Sequence, residues 1–171
     1  MTNSNLNGSE SRKQTTQTLA AILRAVHSSL IQSLKKRREV QTGKEVTPVE
    51  WFHLLSGGPE YKWMHPLTQA MSDIDALLDN RTELSENDFA AVRDSLLKLF
   101  DADPSPEDFK NKYFDAMAAD PELVLSHATL KKTLDQLPQK SVEGNAAEIR
   151  RSWHISERRL AHMRSTGKTN S

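Results

Sequence analysis

There is no cysteine anywhere in the 171 residues of this chain. That absence excludes disulfides, thiol catalysis, cysteine-ligated zinc and iron–sulfur centres, and it fits a reducing compartment. Glycine is scarce too, with six residues. Most of them stand near the termini or at helix stops, which leaves little material for a loop that cradles phosphate. There is no Gly-x-Gly-x-x-Gly, Gly-x-x-x-x-Gly-Lys-Ser/Thr, Gly-x-Ser-x-Gly or His-Glu-x-x-His, so the common nucleotide, hydrolase and metalloprotease signatures fail. No apolar run approaches the roughly 20 residues that a spanning helix requires. Met1 to Asn5 lack the basic and apolar regions of a secretory signal, so the expected location is cytoplasmic. Nor does any stretch alternate with period two, which removes the ordinary signature of a β-strand.

What is present is charge, and it is unevenly distributed. The 23 Lys/Arg and 23 Asp/Glu cancel, mean hydropathy is −0.65, and charged residues make up 27% of the chain. Residues 1–45 carry 8 Lys/Arg against 3 Asp/Glu, residues 46–138 carry 8 against 17, and residues 139–171 carry 7 against 3. Basic ends therefore flank an acidic middle, and they can fold back on the body or reach for an acidic partner.

The periodicity is helical throughout, and the expected fold is an all-α, compact bundle of five or six helices with a basic C-terminal helical tail. Residues 1–14 are polar and contain a single Leu, so they are expected to be disordered. The bundle domain is placed at 15–138 and the tail at 139–171. Leu19, Ile22, Leu23, Val26, Leu30 and Leu34 give the first helix its stripe, and Gly43 ends it. Thr47-Pro48-Val49-Glu50 reads as a capping box with proline at the first helical position. Gly57-Gly58-Pro59 stops that helix, leaving one further turn before His65-Pro66. Further stripes follow from Leu67 and from Phe89, the latter after Ser85. Two more helices open at Ser105-Pro106 and Asp120-Pro121, and a basic helix is expected from Ala146 to about Ser165.

Residues 47–79 are the expected keystone, because two of the three tryptophans and three of the seven prolines fall there. Trp51, Phe52, Trp63 and Pro66 are the predicted structural anchors, the three aromatic rings each worth about 2–3 kcal/mol by buried area.

Three sets of residues are candidates for function. His27, Asp75 and His127 lie beside apolar stripes on different helices and form a candidate polar cluster: converged, they could bind a metal or shuttle a proton. The structural alternative is one histidine hydrogen-bonding Asp75 or a backbone carbonyl. Glu50 and His53, three apart, resemble half of a dimetal site, but the second Glu-x-x-His is missing and Glu50 is accounted for by the helix cap. Arg150, Arg151, Arg158 and Arg159, with Trp153 among them, form a cationic strip that suits a protein partner or self-association, or, as an alternative, nucleic acid. Lys35-Lys36-Arg37-Arg38 adds a second basic run. No cofactor is implied, and a non-enzymatic role is favoured over catalysis.

Residues 26–134 resemble an uncharacterised bacterial family of conserved helical proteins. The resemblance rests on His27, on Trp63-x-x-Pro66-Leu67, on Ile74-Asp75, on Phe109 with Tyr113, and on Asp120-Pro121-x-x-Val124-Leu125-x-His127. His65 departs from it, since that position is expected to be arginine. The resemblance implies a compact helical domain in a bacterium and carries no activity with it.

Overall fold

A computed structural model describes residues 3–100 and 107–155, with side chains from residue 8 onward except that of Glu107. The fold is all-α. The helices are α1 (Asn3–Thr42), α2 (Pro48–Gly57), α3 (His65–Asn80), α4 (Glu86–Phe100), α5 (Glu107–Ala119), α6 (Pro121–Asp135) and α7 (Ala146–Trp153), with a 3-10 segment at Pro59–Met64 between α2 and α3.

α1 is the spine. Its 40 residues extend about 60 Å at 1.5 Å per residue, and it packs against α3, α4, α5 and α6 in turn. Leu19, Leu23, Val26, Leu30 and Leu34, spaced by three or four, are buried along one stripe. Gly43 follows the helix with φ of +64°, the left-handed conformation that ends a helix at least cost for glycine.

The helix begins at Asn3, well ahead of the expected start at Thr15. Polar contacts supply what apolar surface could not. Ser9 is buried and its hydroxyl accepts the Leu84 backbone N–H at 3.1 Å, while Arg12 Nε donates to the Leu84 carbonyl at 2.9 Å. Both backbone groups of Leu84, in the α3–α4 connector, are thereby satisfied from α1, a pairing that composition cannot reveal.

Local signals set the other boundaries. At α2 the capping box is complete: Glu50 N–H donates to Thr47 Oγ1 at 3.3 Å, and Thr47 N–H donates to the Glu50 carboxylate at 3.0 Å. Ser85 and Asp88 cap α4 in the same reciprocal way. Asp120 Oδ1 accepts from the Glu122 and Leu123 amides at the start of α6, and Asn145 does the same for α7. The Ser105-Pro106 helix start lies outside the described residues.

The aromatic core joins α4, α5, α6 and the 3-10 segment. Phe109 and Tyr113 stack with centroids 5.3 Å apart, Phe100 meets both edge-on, and Trp63 packs 5.9 Å from Phe109. Trp51 is also buried, its ring edge-on to Tyr61 at 5.2 Å. Of the four expected anchors, Trp51 and Trp63 are buried, Pro66 is half-buried in the first turn of α3, and Phe52 is not an anchor: it is 65% exposed. Helix geometry explains the correction. Trp51, Leu54 and Leu55 form the inward stripe of α2, and Phe52, one residue and about 100° further round, joins Val49 and His53 on the opposite side.

Candidate interaction surface

The basic tail helix is used within the chain. α7 lies on α3 and α4, and Trp153, expected to be exposed for a partner, has 0% exposure. Its indole Nε1–H donates to Asp88 Oδ1 at 2.8 Å, and its carbonyl accepts from Asn80 Nδ2 at 3.1 Å. Asp88 thus serves two helices, since its other carboxylate oxygen accepts from the Ser85 amide and hydroxyl at the α4 cap. Asp73, on α3, is buried beneath the same helix. It accepts from Gln69 Nε2 at 2.8 Å and lies 2.9 Å from His154 Nε2, with Arg150 at 3.4 Å. The predicted partner-binding set therefore divides. Trp153 and Arg150 are committed to the body, Arg151 remains exposed, and Arg158 and Arg159 lie outside the described residues.

The same logic accounts for the charge segregation. Besides Arg150 with Asp73, the α1 cations Arg24, Arg37 and Arg38 meet Asp75, Asp115 and Glu60, the last two pairs at 2.9 and 2.7 Å. Lys140 of the connector reaches Glu86 at 2.6 Å. Among the described residues, cations from both ends therefore pair with carboxylates of the acidic middle. In the basic run, Lys35 pairs with Glu39 on the same helix, which leaves Lys36 exposed without an ion pair among the described residues.

Asp75 and His127 take separate partners. The Asp75 carboxylate is held by Arg24 on the surface. His127 is buried in the aromatic core, with Nδ1 3.0 Å from the Tyr113 hydroxyl. Burial pushes the Tyr113 phenol well above its ordinary pKa, so the hydroxyl keeps its proton beside the imidazole. His27 is half-buried on α1, and desolvation holds its pKa below the ordinary value of 6.5. No group of three or more His, Asp or Glu side chains with metal-binding geometry occurs among the described residues.

The surface that sequence reasoning missed is the outer face of α2. Val49 is 66% exposed and Phe52, three residues on, 65%; His53 sits beside them with its ring 6.0 Å from that of Phe52. His53 also lines a cleft of about 420 Å³ between α2 and the end of α1, walled by Arg38, Thr42, Lys44, Val46, Glu50 and Leu54. Val40, near the end of α1, is exposed as well. The signal lay in α2 itself. A ten-residue helix bearing Val49, Trp51, Phe52, Leu54 and Leu55 has more apolar side chains than one inward stripe can take. Phe114, Val124 and Leu125 are also exposed, on α5 and α6. No protein family, curated protein or solved structure matches this chain.

Proposed function

We propose that this chain is a non-enzymatic, cytoplasmic bacterial interaction protein that acts by protein–protein contact through the outer face of α2. The observation that carries the reading is the exposure of Val49 and Phe52 on a helix whose opposite side is anchored by Trp51. Large apolar side chains presented at i and i+3 by a rigid, capped helix suit a binding face, because the ordering cost has already been met by the fold. Cytoplasmic placement is supported by the lack of cysteine, and no described helix is long and apolar enough to cross a membrane. The tail has a different part in this reading: α7 clamps α3 to α4, and its Arg150 pairs with Asp73 of the body.

Immobilised wild-type chain is compared with Phe52→Asp and with Arg151→Glu, an exposed change on the tail helix, for capture of chains from a bacterial lysate and of the purified protein itself. Loss of capture with Phe52→Asp and its retention with Arg151→Glu is the expected result. Loss with Arg151→Glu alone returns the role to the tail.

A further inference from the structure

We infer that the occupant of the α2 face is a second copy of this chain, joined by antiparallel pairing of the two α2 helices about a twofold axis; this rests on the reading of that face as the working surface.

Three features of α2 agree with such a pairing. The helix runs Pro48–Gly57, so Phe52 and His53 are its two central residues. An antiparallel twofold at its midpoint sets each Phe52 against the other copy's His53 and each Val49 against the other copy's Ser56, a self-complementary arrangement of the kind isologous dimers need.

Gly57 is the second feature. As the last residue of α2 it does not have positive φ, and a Cβ built there meets nothing within 4 Å, so neither backbone conformation nor internal packing calls for glycine. Its neighbour Gly58 is different, because a Cβ there would fall 2.4 Å from the Leu54 carbonyl oxygen. Glycine within a helix forgoes stability relative to alanine. Beside the small Ser56, Gly57 leaves the space into which the other copy's Pro48 and Val49 would pack.

The third feature is charge. The amino-terminal approach to α2 carries Lys44, Glu45 and Glu50, a net negative end. The carboxyl-terminal exit carries Lys62, with Glu60 neutralised by Arg38. Antiparallel pairing brings the acidic end of each helix to the basic end of the other and sets the two helix dipoles in opposition. With zero formal net charge, the two copies meet no overall repulsion. A contact built on one ten-residue helix is smaller than a standard interface, so the association belongs at the weak end of the dimer range.

Sedimentation velocity of the full chain from about 1 µM to about 1 mM spans that regime. A concentration-dependent monomer–dimer equilibrium is expected. Phe52→Asp and, independently, Gly57→Leu should weaken it at least tenfold with unchanged helical circular dichroism, while Leu125→Asp, on exposed α6, should leave it intact. Gly57→Leu serves if Phe52→Asp does not fold. A chain that is monomeric throughout, or a dimer indifferent to both α2 substitutions, overturns the inference. If the monomeric chain still captures another protein in a Phe52-dependent way, the proposed function stands without the homodimer; if Phe52→Asp changes neither capture nor self-association, both fall.

Discussion

Trp153 provides the sharpest test of how the tail is held. It is fully buried between α3 and α4, and its Nε1–H is bonded to Asp88, itself buried. Trp153→Ala removes a large core ring and should cost about 3–5 kcal/mol. Trp153→Phe is more discriminating, because it keeps most of the apolar surface but takes away the donor to Asp88 Oδ1. Leaving one oxygen of a buried carboxylate unpaired costs about 1–3 kcal/mol, which for a domain of this size lowers the melting midpoint by roughly 2–12 °C. Trp51 is the internal control: its buried Nε1 has no acceptor among the described residues, so Trp51→Phe forfeits no hydrogen bond and should cost less than Trp153→Phe. The assay is urea unfolding followed by circular dichroism, with amide exchange across Ala146–Trp153 to separate local undocking of α7 from global loss. If Trp153→Phe left both the midpoint and the α7 protection unchanged, the account of α7 as a clamp would be wrong.

Three other outcomes follow from local features. Gly58→Ala forces a Cβ against the Leu54 carbonyl oxygen and should destabilise by about 1–3 kcal/mol, read as a lower urea midpoint. Thr47→Ala breaks the α2 capping box at a cost of about 1 kcal/mol; because the Thr47 amide and hydroxyl hold the Glu50 carboxyl below its ordinary pKa, an NMR titration should show Glu50 moving up when the hydroxyl is lost. His27 is protonated less readily folded than unfolded. Between its lowered folded pKa and the ordinary 6.5 the unfolded chain binds more protons, so stability falls as pH drops through that window and is indifferent to His27 above it. His27→Gln should flatten the stability profile below pH 6.5, and an identical slope in both proteins would remove His27 from the explanation.

The contrast between what could and could not be read from the chain is one of range. The helical class and the caps at Thr47, Ser85 and Asp120 were legible because each signal is complete within four residues. Gly43 ended its helix as read, for the same reason. The early start of α1 was not legible, since Ser9 and Arg12 meet the backbone of Leu84, 75 and 72 residues away. Charge asymmetry left the basic ends to close on the acidic middle or to reach for an acidic partner, and it could not select Asp73 and Asp88 as the residues under α7, because that choice requires α3 and α4 to be side by side. His27, Asp75 and His127 looked convergent only in the sense that all three lie beside apolar stripes. Tyr113, one helix away, takes His127, and Arg24, on the surface of α1, takes Asp75. Phe52 was misassigned as an anchor for a geometric reason: in so short a helix, adjacent Trp51 and Phe52 cannot both point inward.

The face on which Phe52 was left is the central claim, and site-specific photocrosslinking tests it most directly. A photoreactive phenylalanine analogue placed at position 52 in the full chain, in living bacteria, should yield a discrete crosslinked adduct, with the same group at the exposed Arg151 position yielding none. Adducts from position 151 and none from position 52 would contradict the assignment and move the working surface to the tail.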